Sequence, residues 1–297
     1  MRRYFQSCGG NRLIGLATLA LAAWLPAGGA FGADPAHQPA AGGSSAAMRQ
    51  DAQRNVPTQR LTPQGRALAQ KVMDDVTVFR RLPTQSFECD AEMYRFLLSN
   101  PDMVVNMWEV MDVTKVAVSR TGQSSFKLND GNGTVVDAYY LYRTPQQVVL
   151  YCDGVYSGSF FPRPLKGRCL MSVRSVEYRN QEGRAVVQCK LDTFLQIDNI
   201  GIELFARTFH NTIGGIADHN FREITGFVSS VSQAAETSPE NLEDIASKCR
   251  RVPQPVTLQF VDITRRIHSD AIGAAAAAPA PQQPRATVHR PFQSSTR

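Results

Sequence analysis

Residues 166–197, KGRCLMSVRSVEYRNQEGRAVVQCKLDTFLQI, decide the fold that we predict for this chain. Apolar and polar side chains alternate along both halves of the segment, which is typical of strands with one buried face. The polar residues 181–183 between the halves are typical of a tight turn. We therefore predict an antiparallel hairpin of two long strands, Lys166–Tyr178 and Arg184–Ile197.

Further strand-like segments precede this hairpin, and short segments containing Gly, Asn or Pro separate them. Such punctuation predicts hairpin connections between neighbouring strands. A short strand, Ser86–Asp90, comes first. The longer segments are Lys115–Arg120, Ser124–Asn129, Thr134–Arg143 and Val148–Tyr156. The chain thus carries about seven strands in one antiparallel series.

Helical patterns surround the strands. Thr62 followed by Pro63 is typical of a helix start, and apolar residues then recur every three or four positions as far as Phe79. Two short helices, Ala91–Ser99 and Asp102–Met111, follow the first strand. A long helix begins near residue 199 and runs to about residue 235, so helices lie on both sides of the strand series in the sequence.

The long helix carries an apolar stripe more than eight turns long. At about 100° per residue, the residues of this stripe fall on one face: Ile202, Phe205, Phe209, Ile213, Ile216, Ile224, Phe227 and Val231. Asn220 falls at the centre of the stripe. One interpretation is a structural amide that bonds to the sheet or to a buried water. The other is a polar group that orients a ligand in a cavity.

The order of these elements resembles a known family. The segment YRFLL at residues 94–98, then Asn100 to Asp102 and Trp108, stand where the START-like/polyketide-cyclase (SRPBCC) superfamily places its first helices. The resemblance implies an α+β helix-grip fold, in which a bent antiparallel sheet wraps around the last helix. It also implies a cavity between sheet and helix, and it implies no catalytic residue.

In that arrangement we expect a small apolar or amphipathic molecule to contact aromatic side chains and the central amide. Tyr140 and Tyr156 belong to neighbouring strands and offer hydroxyl groups. The candidate ligand-binding residues are Asn220, Trp108, Tyr140, Tyr156, Phe209 and Phe205. We predict no catalytic residue, no metal site and no cofactor.

Two disulfide pairs are candidates. The predicted hairpin register places Cys169 opposite Phe194. Cys152 and Cys169 lie at equal distances from the loop between their strands, so the first candidate is Cys152–Cys169. The helix-grip resemblance brings the first and last strands together, which makes Cys89–Cys189 the second.

Residues 1–32 are typical of an export signal. Arg2, Arg3 and Arg12 precede the uncharged stretch Leu13–Ala23, and small residues before Ala33 suit cleavage there. An uncleaved leader would instead anchor the protein in a membrane. Export predicts a periplasmic or extracellular location in which thiols can be oxidised.

Composition sets the predicted domain boundaries. Residues 33–60 and 271–297 are rich in Ala, Pro, Gly, Ser or Gln, which predicts a disordered linker and a disordered tail. Residues 61–252 form the predicted domain, and 253–270 a short extension. The whole chain has a net charge of +6, but residues 61–252 hold 21 Lys and Arg against 22 Asp and Glu. The predicted domain is therefore close to neutral, unlike a nucleic-acid-binding domain.

These patterns favour an exported, non-catalytic binding protein. The alternative is a cell-envelope interaction or scaffold protein whose core is filled by side chains and whose Arg-bearing tails contact anionic envelope components. A third hypothesis is a cyclase- or hydrolase-type enzyme that uses His210, Asp192 or Glu203. The sequence shows no paired acid and base that would support it.

Overall fold

The computed structural model describes residues 42–158, 163–198 and 202–277, with side chains from residue 215 onward in the last range apart from 275 and 277. The helices are α1 Ala46–Asn55, α2 Pro63–Asp74, α3 Ala91–Ser99, α4 Pro101–Val110, α5 Ile202–Thr237, α6 Pro239–Ser247 and α7 Gln254–Ala277. The strands are β1 Val78–Arg81, β2 Gln85–Glu88, β3 Ala117–Gly122, β4 Ser125–Asn129, β5 Thr134–Arg143, β6 Gln147–Tyr156, β7 Leu165–Arg179 and β8 Ala185–Ile197.

All eight of these strands join one antiparallel sheet. Its order is β1-β8-β7-β6-β5-β4-β3, and β2 also pairs with β8, so β1 and β2 follow one another along the same edge. The predicted α+β class and antiparallel sheet are confirmed. The strand ends agree with the sequence prediction to within two residues, because hairpin turns punctuate the chain clearly.

The β7–β8 turn corrects the predicted register. Asn180 donates its backbone N–H to the Arg184 carbonyl at 2.9 Å, which leaves a three-residue loop. Gly183 closes that loop with a φ of 77°, a conformation that glycine adopts without strain. Cys169 therefore lies opposite Leu195, and the prediction of Phe194 was wrong by one residue.

One face of the sheet, here called the inner face, packs against helices α3 to α7. Side chains at alternate positions of β6, β7 and β8 enter a single hydrophobic core with these helices. Phe227 of α5 contacts Trp108 of α4, with ring centroids 5.3 Å apart. Phe260 of α7 contacts Phe96 of α3 at 5.7 Å. Within this layer α5 therefore packs against α4, and α3 packs against α7.

The opposite, outer face packs against α1 and α2. Its core contains Val149, Leu170 and Phe194 from the sheet. Ser45 caps α1 by accepting the backbone N–H of Met48. The prediction of a disordered linker was therefore wrong over residues 46–55. α1 was missed because it buries only a narrow strip of small or flexible apolar side chains, about one in each turn.

Two other boundaries also differ from the prediction. Helix α2 ends at Asp74, and Phe79 belongs to β1, because the segment VTV at residues 76–78 is β-branched and favours a strand. The extension predicted at 253–270 and the first residues of the predicted tail form α7. Its buried residues Phe260, Ile263 and Ile267 follow helical spacing. Among the helices of the described ranges, none is long and apolar enough to cross a membrane.

Candidate ligand cavity

A cavity of about 130 Å³ lies between the inner face of the sheet and α5. Helices α3 and α4 and strand β2 complete its wall. The lining residues are Phe87, Tyr94, Leu97, Leu98, Val104, Tyr140, Val148, Leu150, Met171, Val173, Cys189, Leu191, Phe221, Ile224, Thr225 and Val228. Nearly all of these side chains are apolar, and none carries a charge at neutral pH.

Strand and helix periodicity explain which side chains reach the cavity. The three central strands each contribute two residues spaced by two, because alternate strand residues share a face. These pairs are Val148 with Leu150, Met171 with Val173, and Cys189 with Leu191. Helix α5 contributes Phe221, Ile224, Thr225 and Val228, which lie one above another along a single helical face.

The hydroxyl groups of the wall already have protein partners. Tyr94 Oη and Ser175 Oγ share a hydrogen bond of 2.5 Å. Tyr140 donates its hydroxyl to the Leu98 carbonyl at 2.6 Å. Thr225 donates to the Phe221 carbonyl one turn earlier, at 3.1 Å. Each hydroxyl group of the wall is thus hydrogen-bonded within the protein.

Burial keeps the ionisable groups of the wall neutral. It raises the pKa of the Tyr94 and Tyr140 hydroxyls well above the ordinary range of tyrosine. The same cause raises the pKa of the Cys189 thiol. The cavity surface therefore stays uncharged throughout the physiological pH range.

Only some of the predicted ligand-binding residues lie in the wall of this cavity. Tyr140 lines the cavity. Trp108 is buried against Phe227 and Tyr156 is buried beside Gly158, and neither contributes to the wall of this cavity. The side chains of Phe205 and Phe209 lie outside the part of the chain that the structure describes.

Asn220 is buried but does not line the cavity. It lies about 100° around the helix from Phe221, which faces the cavity. The predicted cavity-facing side of α5 was wrong because the helix is buried on two sides. Phe221 and Val228 face the cavity, while Phe227 contacts Trp108. The seven-residue spacing of Phe221 and Val228 was the sequence signal for the cavity face.

Neither predicted disulfide is formed, and the five cysteines of the described residues are buried thiols. Cys152 and Cys169 do lie directly opposite each other. The backbone bond from Ser175 N–H to the Gln146 carbonyl fixes the alternation along β6 and β7, which makes this cross-strand pair a hydrogen-bonded one. Such pairs hold their Cβ atoms at about 5.5 Å, beyond the 3.5–4.5 Å that a disulfide needs.

The second pair is separated along the strands. Gln85 lies opposite Cys189, whereas Cys89 donates its backbone N–H to the Ala185 carbonyl. Cys89 and Cys189 are therefore about four residues, or roughly 13 Å, out of register. That distance exceeds the reach of a disulfide, which joins Cα atoms up to about 7 Å apart.

The three residues of the enzyme hypothesis are not brought together as a catalytic site among the described side chains. Asp192 accepts hydrogen bonds from Arg81 at 2.6 Å and from Arg174 at 3.1 Å, and the outer face holds all three side chains. The side chains of His210 and Glu203 lie outside the described residues. Within the described ranges, no three His, Cys, Asp or Glu side chains are grouped as metal ligands.

Comparison with known proteins finds no matching family model and no matching curated protein. Among solved structures, a conserved protein from Geobacillus kaustophilus is 10% identical, with 51% of this chain and 93% of that chain covered and a TM-score of 0.36. A protein from Rhizobium loti is 12% identical, covers 48% of this chain and 95% of its own, and has a TM-score of 0.26. A protein from Rhizobium leguminosarum is 13% identical, with 49% and 95% covered and a TM-score of 0.28. These likenesses carry no functional argument.

Proposed function

We propose that this protein is an exported, non-catalytic binding protein of the helix-grip type. Its ligand is a small apolar or amphipathic molecule held between the sheet and α5. The observation that carries the proposal is the apolar cavity itself, about 130 Å³ in volume and lined by the sheet, α3, α4 and α5.

The size of the cavity supports a binding role. Protein interiors are close-packed, and voids larger than a water molecule are few in each domain. Wall atoms beside such a void lack dispersion partners on one side. A bound apolar molecule would supply those contacts and so stabilise the folded protein.

Element order supports the helix-grip assignment. The first strand, two short helices, the antiparallel strands and the long helix α5 follow one another as in the START-like superfamily. Residues 1–32, with a basic start and an apolar stretch, support export.

The chemistry of the wall favours binding over catalysis. General acid–base catalysis needs a titratable group poised near the working pH and within reach of the substrate. The described lining residues with ionisable side chains are Tyr94, Tyr140 and Cys189, and burial raises the pKa of each. They are therefore poorly suited to proton transfer at neutral pH.

Native mass spectrometry of the purified protein tests the proposal. We expect an additional bound mass that solvent extraction removes and that is an apolar or amphipathic molecule. Val173→Phe, which fills the cavity, should lose this mass. Val176→Phe on the same strand is the matched control, because Val176 is exposed and should leave binding unchanged. The same mass on the Val173→Phe variant, or no binding of added apolar ligands by any of these proteins, would contradict the proposal.

A further inference from the structure

We infer that the cavity selects hydrocarbon ligands, which have no hydrogen-bonding groups. The ligand, or the part of it inside the cavity, is about the size of one six-membered ring or a short alkyl chain. This inference rests on the proposed function and narrows its ligand class. It predicts that amphipathic molecules bind weakly when their carboxylate or hydroxyl group has to enter the cavity.

The size argument comes first. An apolar protein cavity of about 150 Å³ remains dry and accepts a single benzene molecule. The cavity between the sheet and α5 is slightly smaller, at about 130 Å³. Its interior therefore fits one small ring or a few methylene groups, which is less than the whole acyl chain of a lipid.

The hydrogen-bonding argument sets the polarity of the ligand. A buried ligand oxygen needs a donor, but Tyr140 and Thr225 already donate to main-chain carbonyls. Tyr94 already shares its hydrogen bond with Ser175, which is itself buried. Recruiting Tyr140 or Thr225 breaks the bond that its hydroxyl already donates. The Tyr94–Ser175 pair holds one hydroxyl proton outside its shared bond, so a ligand oxygen finds at most this one donor without breaking a bond. A buried polar group without a partner weakens binding by about tenfold or more.

The charge argument excludes ionised ligands. The wall holds no cationic side chain among its described residues. A carboxylate inside would therefore lose its hydration without gaining a counter-ion. The carboxylate of a fatty acid would therefore have to lie outside the cavity, where the wall residues do not contact it.

Methyl NMR of methionine-labelled protein provides the test. Met171 lines the cavity, whereas Met73 is equally buried in the outer-face core and serves as the internal control. We would titrate benzene against phenol, and hexane against hexanoate. Benzene and hexane should shift the Met171 signal and leave Met73 unchanged, whereas phenol and hexanoate should bind at least about tenfold more weakly.

A pair of variants tests the cause of the selectivity. Val148→Thr places an unpartnered hydroxyl in the wall and should improve phenol binding relative to benzene. Val149→Thr, the next residue on the outer face, should leave the ratio unchanged. Phenol or hexanoate binding as tightly as its hydrocarbon partner would overturn the inference and leave the proposed function intact. If no ligand shifts Met171 in the folded protein, both are wrong.

Discussion

The buried thiols of the inner face are neutral groups in an apolar environment. Burial is the largest influence on Cys152 and raises its pKa to about 12. It raises the pKa of Cys89 to about 12 as well. These side chains act as small apolar residues in the core, and thiolate chemistry at neutral pH is suppressed.

The raised pKa values predict a loss of stability at alkaline pH. In the unfolded chain a thiol ionises near pH 8.5, whereas Cys152 in the folded protein keeps its proton to about pH 12. The free energy of unfolding should therefore fall as pH rises between these values, by up to about 1.4 kcal/mol per pH unit for each such thiol.

Urea unfolding at several pH values measures this slope. Cys152→Val should remove the contribution of one thiol and give a shallower decline above about pH 9. The variant and the wild type should have parallel curves below that pH. Equal slopes across the alkaline range would show that Cys152 is not held as a buried thiol.

At the scale of elements, a charged network fixes α1 to the sheet. Arg81 of β1 donates to both carboxylate oxygens of Asp192, at 2.6 and 3.0 Å, and also to Asp51 of α1 at 2.8 Å. Arg174 provides a further donor to Asp192. Asp192 is almost fully buried, whereas the Asp51 side chain is about half exposed. The two carboxylates should therefore contribute very differently to stability.

Asp192→Asn and Asp51→Asn test this difference. Removing the buried carboxylate charge leaves the buried Arg81 charge poorly compensated, so Asp192→Asn should cost about 3–5 kcal/mol. Asp51→Asn should cost less than about 1 kcal/mol, because the exposed pair is screened by water. Denaturant unfolding of both variants measures the free energies. Equal losses would contradict the burial of the network.

The same elements explain how far the sequence predicts the structure. Strands β3 to β8 were predictable because clear turns bound each of them and several alternate in polarity. Helix α1 was not, since its packing depends on a sheet face formed by residues far along the chain. The charge pairing of Asp51 with Arg81 has no local signature either.

The cavity was predictable in kind but not in its residues. A long apolar helix after an antiparallel series predicts a sheet–helix interface, and Tyr140, one of the predicted ligand-binding residues, lies in the cavity wall there. The orientation of α5 was not predictable from its own stripe, because α4 covers a second flank of the helix. That tertiary contact rotates Asn220 out of the cavity wall and brings Phe221 into it.

At the scale of the whole molecule, helices cover both faces of the central strands, but the two faces differ in packing. On the outer face, α1 and α2 pack around Val149 and Phe194, which are fully buried. The inner face leaves a cavity beside Val148. Val148 and Val149 are adjacent on β6 and are 3% and 0% exposed, so they report on the two faces at nearly equal burial.

The most direct measurement is the free energy of unfolding of Val148→Phe compared with that of Val149→Phe. The larger ring should enter the cavity at residue 148, so that variant should stay within about 1 kcal/mol of the wild type or exceed its stability. The same ring at residue 149 should overpack the buried core under α1 and α2 and cost about 1–3 kcal/mol. Equal destabilisation by both substitutions would show that the inner face is filled and would contradict the cavity on which the account depends.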